Sequence, residues 1–78
     1  MRFLIVDDES ELTQVLAEEL AEEGYETCSV NSASEALTRF DAGGIDVILS
    51  DVRMPNMDGI ELLKAIRERS PDFATFFF

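Results

Sequence analysis

Seventy-eight residues make one domain at most, and a domain that small buries a modest share of its surface. A hydrophobic fraction of 46% argues against disorder, while 17 acids against 6 bases, a formal net charge of -11, repel nucleic acid and anionic membrane and argue against a DNA-binding module in this segment. With no histidine, histidine catalysis and ligation are excluded; the single cysteine, Cys28, permits no internal disulfide and suits a reduced, buried thiol in a cytoplasmic protein; no apolar run reaches the length of a membrane span or signal-peptide core.

The first predicted element is a strand over 1–6, whose run Phe3-Leu4-Ile5-Val6 is apolar on both faces, as in a parallel strand covered by helices on each side. It ends in two acids, Asp7 and Asp8. Asp8 or Ser10 can cap the helix that follows, and Glu11 completes a capping-box pattern with Asp8. Leu12, Val15, Leu16 and Leu20 recur at spacings of three and four and predict its inward face, opposite Glu18, Glu19, Glu22 and Glu23. Gly24 is the predicted C-cap. Residues 25–30 alternate polar and apolar, which predicts a second strand at a sheet edge, with Glu26 and Thr27 tolerated there. Ser32 then opens a short helix with Glu35 at the capping-box position and Ala33, Ala36, Leu37 and Phe40 facing inward, stopped by Gly43-Gly44.

Residues 45–50 predict a third strand, again apolar on both faces, and it too ends in an acid, Asp51. Met54-Pro55-Asn56 breaks regular structure, and Asp58 is placed to N-cap a third helix. There Leu62, Leu63 and Ile66 face inward, Ile60 lies near the start, and Glu61, Lys64, Arg67, Glu68 and Arg69 face water. Ser70-Pro71 ends it, and 74–78 reads as a fourth strand. Strands and helices in alternation predict an α/β fold with a parallel sheet.

A carboxylate at the carboxyl end of a buried strand is costly unless solvated, paired or bound to metal. That end of an open α/β sheet is also where ligands bind. If strands one and three are parallel neighbours, Asp7, Asp8 and Asp51 converge there. Three close anions repel one another unless a cation is present. Hard oxygen donors favour Mg2+, which uses a few carboxylates and keeps several waters. The plainer reading, that these acids only cap helices, fits each one singly but fits the joint pattern poorly.

The runs FLIVDDE, from Phe3, and VILSDVRMPNMDG, from Val47, resemble the receiver domain of two-component response regulators. The likeness runs from Met1 to about Pro71. It implies a flavodoxin-like, doubly wound parallel sheet in strand order 2-1-3-4. It implies Asp51 as phosphoacceptor, with the phosphoryl group taken from a phosphohistidine on a sensor histidine kinase or phosphotransfer protein. It implies Asp7 and Asp8 as the acidic pair of a Mg2+ site that also accepts Mn2+, with the backbone carbonyl of Arg53 as a further ligand. Whether Asp7 or Asp8 touches the metal directly stays open. The implied module is a phosphoacceptor rather than an enzyme. The Arg53 side chain is equally suited to steering the donor or to simple solvation, and Met54, Pro55, Asn56 and Met57 to stiffening the loop.

Such domains carry a Thr or Ser after the fourth strand and a Lys after the fifth, and the sequence ends at Phe78 before either. The expectation is therefore the N-terminal portion of a receiver over residues 1–78, its sheet incomplete and its fourth strand cut at 78. Such a portion would accept phosphate without running the conformational switch, and Lys64, pointing to solvent, would not replace the missing lysine. Phe76-Phe77-Phe78 on an edge strand invites a homodimer by strand pairing or domain swapping. Three rival readings are a receiver-like interaction module that never carries phosphate, a Mg2+-dependent aspartyl-phosphate phosphatase of the haloacid-dehalogenase type, and a nucleotide or flavin module. The phosphatase wants D-x-D where this chain has Asp7-Asp8-Glu9, and the nucleotide module wants a glycine-rich loop that the run after Val6 lacks.

Overall fold

The computed structural model describes residues 1–8, 10–51 and 59–78. Strands β1 (Arg2–Val6), β2 (Glu26–Val30), β3 (Val47–Ser50) and β4 (Ala74–Phe77) alternate with helices α1 (Ser10–Glu22), α2 (Ala33–Asp41) and α3 (Gly59–Arg69). The strands form one parallel sheet in the order β2-β1-β3-β4, as expected. Among the described residues β2 is an edge, as expected, and β4 stands last in the order beside β3.

Chain direction decides which face each helix covers. The β1-to-β2 connection steps one way across the sheet, and the β2-to-β3 and β3-to-β4 connections step the other way. Right-handed crossovers therefore put α1 on one face and α2 and α3 on the opposite one. The core agrees. Leu4, Val6 and Ile48 cluster with Ala33, Ala36, Leu62 and Ile66, and Cys28, Val30, Leu37, Phe40 and Phe73 pack around them. Ile5 and Val47 are also buried, but alternation turns them to the α1 side.

Local chemistry sets the ends of the elements. The Ser32 side chain accepts from the Glu35 backbone N–H at 3.2 Å and caps α2. After α1, the Tyr25 N–H reaches the Leu20 carbonyl and the Gly24 N–H that of Ala21, both at 3.0 Å. This is a Schellman closure, and it needs the left-handed conformation that Gly24 adopts at φ 90°. Arg69 ties α3 to Asp41 of α2 at 2.7 Å, and Arg2 pairs with Glu26 across β1 and β2 at 2.8 Å. Cys28 is half-buried rather than buried, and its sulfur accepts from the Arg39 Nε–H at 3.3 Å. Asp8 and Ser10, the caps expected for α1, stand at its start, the helix opening at Ser10; Asp58, the cap expected for α3, lies outside the described residues.

One expectation is corrected. The inward face of α1 is not the line through Leu12 and Val15, which are 40% and 54% exposed. Thr13 is buried, and Leu16, Ala17 and Leu20 are half-buried. Among the described residues α1 packs mainly against β1 and β2, and that contact covers only part of its apolar stripe. A 3.6-residue period reports the stripe but not how much of it is covered. In α3, by contrast, Leu62 and Ile66 are fully buried as expected, and Ile60 is exposed.

These burials set a stability contrast. Leu62→Ala is expected to cost about 2–5 kcal/mol in urea unfolding, as a buried leucine truncation does. Val15→Ala should change stability by less than about 0.5 kcal/mol, as a surface substitution does. A loss of similar size at both positions would show that α1 buries the Val15 face after all.

Candidate functional site

β1 and β3 are adjacent and parallel, with Val6 opposite Ser50. The next residue of each strand is an aspartate, Asp7 and Asp51, so the pairing delivers both to the same end of the sheet. The Asp51 N–H donates to the Val6 carbonyl at 2.9 Å, and the Asp7 N–H to the Val30 carbonyl at 3.2 Å. Main-chain bonding thus continues one step beyond the strands and fixes both backbones where the carboxylates begin.

Asp7, Asp8 and Asp51 each offer one carboxylate oxygen, and these three oxygens lie within 4.8 Å of one another. Burial is graded across the cluster. Asp7 is 1% exposed, Asp51 is half-buried and Asp8 is exposed. A carboxylate as deeply buried as Asp7 is expensive to keep charged without compensation. The donors are hard oxygens on a site open on one side, which suits a small hard cation that keeps waters. The residues present therefore fit a Mg2+ ion.

The sheet brings together the three aspartates singled out from the sequence. Arg53, whose carbonyl was expected as a fourth ligand, lies outside the described residues, as do Met54, Pro55, Asn56 and Met57. Lys64 is exposed on α3, as expected. Ser50 was not singled out, yet it is fully buried beside the site. Its hydroxyl donates to the Asp51 carbonyl at 2.9 Å, and its own carbonyl accepts from the Phe78 N–H at 3.0 Å. The available signal was a hydroxyl closing an otherwise apolar strand, where a buried polar group needs a local partner.

Comparison with known proteins points the same way. A family model of the response regulator receiver domain matches residues 3–78. The transcriptional regulatory protein TrcR of Mycobacterium tuberculosis is 36% identical over 77 residues, which are 99% of this chain and 30% of that protein. Response regulator TrrA of Thermotoga maritima, solved in complex with Mg2+-BeF, superposes with a TM-score of 0.88 at 38% identity, covering 97% of this chain and 64% of that one. TrrA solved in complex with the histidine kinase ThkA gives a TM-score of 0.92 at 38% identity, with coverage of 97% and 66%. The chain thus spans about a third of the curated relative and just under two thirds of the solved chains. With the sheet order, the strand-end aspartates and a family match over residues 3–78 in agreement, the chain belongs to the response regulator receiver domain family of two-component systems.

Proposed function

We propose that this chain accepts a phosphoryl group on Asp51 from a phosphohistidine of a sensor histidine kinase or phosphotransfer protein, as a cytoplasmic signalling module. The observation that carries the reading is the convergence of three carboxylate oxygens within 4.8 Å at the carboxyl ends of β1 and β3. A carboxylate oxygen of Asp51 attacks phosphorus. The O–P bond forms as the P–N bond to the donor imidazole breaks, and the imidazole keeps the electron pair. Asp51 is half-buried, so its backbone is held while its carboxylate stays within reach of a partner. Asp7, Asp8 and Asp51, with the Arg53 carbonyl, would hold Mg2+ or Mn2+, Asp7 from the buried side and Asp8 from the solvent side. The bound ion supplies neutralisation of the phosphoryl charge, the main need of such a transfer. Residues 1–78 form the N-terminal portion of the receiver on this reading, in keeping with the share of the solved chains that they span.

Incubation with acetyl phosphate and Mg2+ should add the mass of one phosphoryl group, and Asp51→Asn or a chelator should abolish the addition. Absence of labelling in the unaltered chain, or undiminished labelling of D51N, would overturn the assignment of Asp51. In calorimetric titration, Mg2+ should bind with millimolar-scale affinity. Replacing Asp7 and Asp8 together with alanine should remove that binding, and unchanged binding would refute their role as ligands.

A further inference from the structure

Among the described residues β2 pairs with β1 alone, and the phase of that pairing decides what its far side offers. The Glu26 N–H donates to the Met1 carbonyl, and the Val30 carbonyl accepts from the Asp7 N–H, both at 3.2 Å. Glu26, Cys28 and Val30 therefore direct their backbone groups to β1. The N–H and C=O groups of Thr27 and Ser29 point the other way, along the edge.

A groove runs beside this strand on each face of the sheet. On the α1 face, Thr13, Gln14 and Ala17 with Ser29 and Asn31 line about 330 Å3. On the α2 face, Ser34, Thr38, Arg39 and Ala42 with Val30 line about 390 Å3. Successive side chains of a strand point to opposite faces, so a segment laid along β2 sends alternate side chains into the two grooves.

The grooves differ in charge. On the α1 face, Gln14 donates to the Glu18 carboxylate at 3.4 Å, and Glu22 follows one turn further along the same row. Helix α1 contains no lysine or arginine to offset them. On the α2 face, Arg39 is already engaged. Its guanidinium donates to the Cys28 sulfur at 3.3 Å and to the Gly43 carbonyl at 3.4 Å. Val30 and Ala42 give that groove an apolar wall.

We infer that the β2 edge is a docking site for an extended basic segment of a partner protein, which adds to the sheet antiparallel to β2. The outward groups of Thr27 and Ser29 bond its main chain and supply affinity, and the grooves sort its side chains and supply specificity. Residues of the segment opposite Thr27 and Ser29 are lysine or arginine. They lie over the α1 groove, where Gln14 and Glu18 receive them. The intervening residues are aliphatic and enter the α2 groove against Val30 and Ala42. A run of five residues matches the length of β2. Charge selects this occupant over a second copy of the chain. A copy of net charge -11 would bring a second set of glutamates to the edge, whereas a basic segment meets a complementary field.

Titration with the capped peptide Lys-Val-Lys-Val-Lys should move the amide NMR signals of Gln14, Ala17, Thr27, Ser29 and Asn31. It should also slow exchange of the Thr27 and Ser29 N–H groups. The peptide Glu-Val-Glu-Val-Glu should do neither. Affinity should fall as salt is raised from about 0.1 M to about 1 M, where the screening length falls from ~10 to ~3 Å. Glu18→Lys should weaken binding about tenfold with circular dichroism unchanged. N-methylation of the peptide's lysines removes the donors that face Thr27 and Ser29 and should abolish binding, while N-methylation of its valines should spare it. Shifts confined to the glutamates of α1, or equal loss from both N-methylated peptides, would overturn the inference. So would protection of the Thr27 and Ser29 N–H groups in the free chain that rises with its concentration, which would mark a second copy as the occupant.

Discussion

The pairing of β1 with β3 is the constraint on which both fold and chemistry rest. With Val6 opposite Ser50 and the Asp51 N–H bound to the Val6 carbonyl, two aspartates far apart in sequence become neighbours. A slip of one residue would turn one strand's side chains to the other face and separate the carboxylates. The register is held by packing on both sides of the sheet. Leu4 lies beside Ile48 toward α2 and α3, and Ile5 beside Leu49 toward α1. The core therefore decides the geometry of the site, and a fault at Leu4 or Ile48 would be felt at Asp51.

The same arrangement carries a cost. Burying Asp7 to 1% exposure at the end of an apolar strand opposes the burial that stabilises the strand itself. Two further carboxylates nearby add repulsion. A sequence selected for stability alone would not place these groups together, and local rules are most often broken where a site has to be built. Graded exposure eases the conflict, because Asp8 keeps its hydration while Asp7 gives it up.

Much of this was legible in the residues. Phe3 to Val6 and Val47 to Leu49 are unbroken apolar runs of strand length, and each is followed at once by aspartate. Ser32 with Glu35 and the Gly24 turn marked helix ends that the structure reproduces. The face of α1 was not legible. Leu12 and Val15 satisfy helical periodicity as well as Leu16 and Leu20 do, and periodicity carries no information on how much sheet lies beneath a helix. Ser50 escaped notice because its role is local, a hydroxyl bound to the next carbonyl, which gives no spacing pattern. The strand order rested on crossover handedness together with family likeness, since strand patterns alone do not specify which strands are neighbours.

Phe3 and Tyr25 form an aromatic pair at the opposite end of the sheet, and it has an optical consequence. The chain has a single tyrosine and no tryptophan, so its near-ultraviolet emission comes almost entirely from Tyr25. That ring lies 5.1 Å from Phe3, at the start of β2. Asp7 is four positions along the chain from Phe3, about 13 Å at the usual rise per strand residue. The intrinsic fluorophore therefore watches the seam where β1 and β2 begin to zip and is a poor witness to events among the carboxylates. Fraying of that seam would change the emission while the aspartates kept their places, and a cation arriving at the aspartates would leave the emission almost unaltered.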